Sequence, residues 1–123
     1  MSDSSNGFKA LTQTVSSRLG AMRSDVPDVM KGFGELSRAA MADGAIDKKT
    51  KELIAMALGV ASRCDPCIGF HAQALVKLGA TRQELLEMLG VVTYMGGGPS
   101  LMYCANAVAA FDEFSAAAAA PKA

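Results

Sequence analysis

Tryptophan is absent from this sequence, histidine occurs once, and neither sign of charge is in excess, with Lys+Arg and Asp+Glu at 12 each. That balance leaves no positive field to draw phosphates or anionic headgroups, so neither nucleic acid nor a membrane surface is an expected partner. Also lacking is an apolar run near the ~20 residues that span a bilayer, because charges or glycines interrupt every candidate segment. The opening Met1–Gly7 is polar and acidic where a signal peptide needs basic residues and then an apolar stretch, so a cytoplasmic location is expected. Three cysteines are too few, and odd in number, for the disulfide framework of a secreted protein. Two of them, Cys64 and Cys67, form a Cys-x-x-Cys pair, which in a reducing compartment points to metal binding or reversible redox chemistry.

What is present fits one domain, since 123 residues can bury one core but not two. Half of the residues are hydrophobic and eight are methionine, more apolar surface than a lone domain of this size hides, so oligomerisation is expected. The chain divides into an N-terminal segment with a short helix (1–26), a helical core (27–115) and an alanine-rich tail (116–123).

The pattern is helical throughout, predicting an all-α fold of about six helices. Phe8, Leu11, Val15 and Leu19 form one apolar stripe, and Pro27 opens a second helix whose face continues through Val29, Met30, Phe33, Leu36 and Ala40 until Asp43-Gly44. Asp47 is an N-cap for a third helix in which Leu53, Ile54, Ala57, Leu58 and Ala61 are expected to face inward, with Glu52 at the border of that face. A fourth helix is expected to open at Asp65-Pro66, with Asp65 as cap, and to stop near Gly79. Thr81-Arg-Gln-Glu84 is a capping box ahead of Leu85, Leu86, Met88, Leu89, Val91 and Val92, a set dense enough for a helix buried on more than one side. Gly96-Gly-Gly-Pro99 reads as a helix-helix turn rather than a phosphate loop. It has no Gly-Lys-Ser/Thr behind it, and a last helix is expected from about Pro99 to Phe114 before fraying into the alanines.

Cys64 and Cys67 are three apart, a spacing that lets their sulfurs meet in the first turn of the fourth helix. The exposed N–H groups of that turn favour a thiolate at Cys67. His71 follows by four residues, so its ring lies one turn along the same face, where it can take the thiol proton or pair with the thiolate. A carboxylate would fix the ring's tautomer, and Glu52 is the candidate, through a tertiary contact that spacing alone does not establish. Each has a plainer reading: a lone histidine on a helix face is usually a packed core residue, and a single glutamate is usually solvated. Cys104, within Leu101-Met-Tyr-Cys-Ala, reads as a small buried hydrophobe.

The segment KELIAMALGVASRCDPCIGFHAQALVKLGATRQELLE, Lys51 to Glu87, resembles the carboxymuconolactone decarboxylase and alkylhydroperoxidase D-like family. The elements that carry the likeness are Glu52, the Cys64/Cys67 pair, His71 and the Gly79-Ala-Thr-x-x-Glu84 step, and it extends over roughly Pro27 to Phe114. The resemblance implies a helical fold that assembles as a homotrimer or homohexamer, with no metal or organic cofactor. It implies Cys67 as the peroxidatic thiol, Cys64 as the resolving thiol, and Glu52 with His71 as a proton relay. It also implies a small hydroperoxide substrate and a dithiol reductant, a lipoyl group or another thiol protein. Peroxidase-type members often carry a second histidine just before the peroxidatic cysteine, where this sequence has Pro66.

Two other readings stand beside this one. Cys64, Cys67, His71 and Cys104 could supply the four ligands of a closed zinc site in a non-enzymatic module. Alternatively Glu52 and His71 could do acid/base work on a small carbon acid, as in the decarboxylase branch, which generally lacks the cysteine pair.

Overall fold

Two helices begin where the sequence places their caps. Asp47 Oδ1 accepts the Thr50 N–H at 2.8 Å, and Thr81 Oγ1 accepts the Glu84 N–H at 3.0 Å while Glu84 Oε1 accepts the Thr81 N–H at 2.8 Å. Both satisfy amide donors that a helix start leaves without partners. In the computed structural model, which describes residues 7–121, these starts belong to α3 (Lys48–Ala61) and α5 (Arg82–Gly96). The others are α1 (Phe8–Asp25), α2 (Pro27–Met41), α4 (Asp65–Lys77) and α6 (Gly98–Ala119), with no strand among the described residues. The all-α expectation is met. The expectation drawn from the opening residues falls mostly on 1–6, outside the described residues, and no described helix is long and apolar enough to cross a membrane.

α4 occupies the middle, packed against α1, α3 and α6, while α5 lies against α3 and α6. Met56, Val60, Ile68, Leu75 and Leu85 are fully enclosed at that junction, with Phe111 and Phe114 of α6 beside them. The first helix is longer than its apolar stripe suggests, and it is tied down by α6. Glu113 accepts the Phe8 and Lys9 N–H groups at 2.8 and 2.9 Å, serving as a borrowed cap from the far end of the chain. Its Thr12 lies so near Gly69 that a Cβ there would come within 2.6 Å of the Thr12 methyl, so α1 and α4 approach at a distance only glycine permits.

Three expectations need correction. α6 does not fray at Phe114 but runs on through the alanines to Ala119, in keeping with alanine's high helix propensity. The inward side of α3 is Glu52, Met56, Gly59 and Val60. Ile54 and Leu58, expected inside, are 46 % and 63 % exposed, while Leu53 and Ala57 of the same stripe are half-buried against the core. α5 is buried on one side, through Leu85, Leu89 and Val92, and Val91 projects outward. α2 buries none of its residues.

Candidate functional site

The turn between α3 and α4 decides where the cysteines sit. The N–H of Cys64 donates back to the Gly59 carbonyl at 3.0 Å, with Arg63 in the left-handed region at φ 57° reversing the chain. α4 therefore starts directly after α3 ends, and its cap is Cys64 rather than Asp65. Cys64 Sγ accepts the Cys67 N–H at 3.2 Å, as a capping side chain would. Asp65 is the first residue of α4, and its carboxylate accepts a hydrogen bond from Asn106 Nδ2 of α6 at 3.0 Å. A Cβ at Gly59 would lie 3.2 Å from Cys67 Cβ, so glycine there sets how closely α4 approaches α3. Cys64 and Cys67 are joined as a disulfide, with Cα atoms 5.2 Å apart.

One turn beyond Cys67, His71 meets α3. Its Nδ1 forms a short contact with Glu52 Oε1, so the tertiary pairing that spacing could not establish is present. Glu52 is 7 % exposed, and a carboxylate that deep is tolerated because a donor faces it. A ring held to a carboxylate through Nδ1 keeps Nε2 for other partners. A disulfide pair, an imidazole and a buried carboxylate are thus held by two adjoining helices.

The cap assignment changes the expected division between the sulfurs. Sequence spacing placed the benefit of the helix start on Cys67, yet the first-turn N–H that could stabilise a thiolate is aimed at Cys64. Cys104 stands apart from the pair: it is buried, with Sγ 3.6 Å from Thr93 Oγ1 and 3.7 Å from the Leu89 carbonyl. Among the described residues no three histidine, cysteine or acidic side chains gather as metal ligands would, so Cys104 is not brought to a four-ligand site with Cys64, Cys67 and His71.

Sequence family and fold are shared with known proteins. The model of the carboxymuconolactone decarboxylase family matches residues 27–120. The chain belongs to that family. A solved member from Legionella pneumophila is 60 % identical, with a TM-score of 0.87 over 88 % of this chain and 96 % of that one. A Thermotoga maritima member, put forward as a candidate in an antioxidative response, is 29 % identical, with a TM-score of 0.74 over 83 % and 87 % of the two chains. An uncharacterized protein of Cupriavidus necator is 39 % identical over 89 % of this chain and 96 % of its own length.

Two positioning residues escaped the sequence reading. Gly59 carried a signal, a glycine inside a helical pattern, which often marks a close approach. Asn106 carried none, since an asparagine on a helix gives no sign of which distant carboxylate it will meet.

Proposed function

We propose that this chain is a thiol-dependent redox enzyme that reduces hydroperoxides through Cys64 and Cys67, with Glu52 and His71 moving the proton. The observation that carries the reading is the Glu52–His71 contact on the same helix face as a paired Cys-x-x-Cys. Membership of a family that includes a candidate antioxidant member supports it.

In the proposed cycle the Cys67 thiolate attacks the distal peroxide oxygen, the O–O bond breaks, and the alcohol leaves with a proton from His71. Cys67 becomes a sulfenic acid. The Cys64 thiolate, held by the Cys67 N–H, then attacks the Cys67 sulfur. The S–O bond breaks, hydroxide leaves and takes a proton from solvent to become water, and the disulfide forms. A dithiol reductant, a lipoyl group or another thiol protein, returns both sulfurs to the thiol state and is itself oxidised to a disulfide. The capped sulfur suits this resolving role because it is already ionised when the sulfenic acid appears. The same pair would serve a substrate that is a disulfide.

The test is stoichiometric peroxide added to reduced protein. Mass spectrometry should show loss of two hydrogens and a Cys64–Cys67 link, and Cys67→Ser should stop peroxide consumption. Undiminished consumption by that variant ends the proposal. Turnover of a carbon acid retained when both cysteines are serine would instead favour acid/base chemistry by Glu52 and His71.

A further inference from the structure

We propose that Arg63 is the residue by which the disulfide selects its reductant, and that the reductant it selects is a dithiol carrying a carboxylate. Two helices of this chain end in the same way. After α4, the Ala80 N–H donates to the Leu75 carbonyl at 3.0 Å and the Gly79 N–H to the Val76 carbonyl at 3.1 Å, with Gly79 in the left-handed region at φ 77°. After α3, the Cys64 N–H donates to the Gly59 carbonyl and the Arg63 N–H to the Val60 carbonyl, both at 3.0 Å, with Arg63 at φ 57°. Each pair of bonds satisfies carbonyls that a helix end leaves open, around one residue of left-handed backbone.

Glycine is the usual residue there, because a side chain crowds its own carbonyl in that conformation. The end of α4 has glycine and the end of α3 has arginine, the one non-glycine with positive φ among the described residues. Nothing in the turn asks for a side chain at Arg63. The turn that carries one leads straight into the disulfide, since Cys64 both completes the end of α3 and caps α4. Unfavourable backbone kept beside reactive groups points to a residue held for its side chain.

Charge and placement say what that side chain does. Arg63 is exposed, and the ion pairs among the described residues, Lys49–Glu84, His71–Glu52 and Arg82–Asp112, do not engage it. On the other side of Cys64, the Asp65 carboxylate is tied to the bundle by Asn106 of α6 at 3.0 Å. Arg63 is thus the untethered charge next to two half-buried sulfurs. A guanidinium offers two parallel N–H groups to a carboxylate. What fits is a dithiol with a carboxylate within a side chain's length of its sulfurs, either a small dithiol acid or a Cys-x-x-Cys protein segment flanked by acidic residues.

This assignment rests on the redox role proposed above and adds the partner's charge to it. One thiolate of the dithiol attacks Cys67 Sγ, the Cys64–Cys67 bond breaks, and Cys64 leaves as a thiolate held by the Cys67 N–H. The second thiolate attacks the partner's own sulfur in the mixed disulfide, Cys67 leaves as a thiolate, and the partner departs as a disulfide. The pair gains two electrons, the dithiol loses two, and the dithiol's two protons pass to the cysteines through solvent. Arg63 acts ahead of these bond changes, by holding the carboxylate while the first thiolate comes in.

The experiment uses two probes that differ in charge, dihydrolipoate and its neutral amide, dihydrolipoamide. Each reduces the oxidised full chain, followed by acid quench and mass analysis, in the parent, Arg63→Gly and Arg63→Lys. Dihydrolipoate should react faster with the parent, and its advantage should shrink in about 0.5 M sodium chloride. In Arg63→Gly the ratio of the two rates should fall about two- to fivefold, the size of one exposed ion pair, and Arg63→Lys should recover much of it. The melting temperature of Arg63→Gly should be no lower than the parent's, because glycine suits the turn. Peptides Asp-Cys-Gly-Pro-Cys-Asp and Asn-Cys-Gly-Pro-Cys-Asn separate the two sources: a preference for the acidic peptide assigns a protein partner, and one confined to dihydrolipoate assigns a small acid. Equal rates for the two lipoyl probes, or a ratio that Arg63→Gly leaves unchanged, overturns the proposal and leaves the redox reading standing. A disulfide that no dithiol opens overturns both.

Discussion

The N–H of Cys67 donates to the sulfur of Cys64 at 3.2 Å, so the first cysteine of the motif caps the helix turn that holds the second. In reduced protein this predicts that Cys64 is the more ionised thiol at neutral pH. Iodoacetamide should alkylate Cys64 in the Cys67→Ser variant several-fold faster at about pH 7 than it alkylates Cys67 in Cys64→Ser, against a free-thiol reference near 8.5. Equal rates would remove the asymmetry from the proposed cycle.

His71→Ala leaves a carboxylate buried opposite nothing. Unfolding free energy should fall by about 1–3 kcal/mol, the usual cost of an unsatisfied buried group, measured by urea titration. Peroxide turnover should fall about 10²-fold, the common size of a general acid-base contribution. Glu52→Gln keeps a hydrogen-bond acceptor for Nδ1, so it should retain more stability than His71→Ala while still losing peroxide turnover. Parent-like kinetics in both variants would leave the pair a packing feature only.

Asn106→Ala severs the tie between α6 and the first residue of α4, a bond 3.0 Å long. A loss of about 1 kcal/mol is expected, together with slower closure of the Cys64–Cys67 disulfide after a peroxide pulse, followed by acid quench and mass analysis. Unchanged closure would show that the turn needs no support from α6.

Gly59→Val places a branched side chain where even a Cβ lies 3.2 Å from Cys67 Cβ. Overpacking of this kind costs about 1–3 kcal/mol, and thermal unfolding of the reduced protein should show it. A variant as stable as the parent would mean that α4 can move away from α3 without penalty.

Acid sensitivity follows from the caps and ion pairs. The Lys49 ammonium and the Thr81 amide hold the Glu84 carboxyl below its ordinary range, the Thr50 contacts do so for Asp47, and Arg82 does so for Asp112. A carboxyl lowered in the folded state stabilises above its unfolded value and loses that contribution as pH falls through the folded one. The melting temperature should therefore drop between about pH 5 and pH 2. Lys49→Gln should shallow the drop, slightly, because these groups are exposed. An unaltered slope would show that Glu84 gains nothing from Lys49.

Helix number and type were legible because apolar spacing and caps such as Asp47 and Thr81 act within a few residues. The offset from Cys67 to His71 was legible because both lie within one helix, whereas the contact of Glu52 with His71 crosses from α3 to α4 and spacing alone did not reach it. Which residue caps α4 was not: Asp65 is the commoner capping type, but the reversal at Arg63 brings Cys64 into the position first. Nor was the inner face of α3, since Ile54 and Leu58 have the same period as Met56 and Val60, and periodicity cannot tell a core face from an exposed one. Asn106 was invisible for a related reason: its partner lies 41 residues away.

The borrowed cap on α1 has a bearing on how the chain is born. The carboxylate that quiets the amide hydrogens of Phe8 and Lys9 belongs to Glu113, about a hundred residues later. The start of α1 can therefore be fastened only after α6 has been made and has come alongside, so this cap closes a long loop where most caps close a single turn.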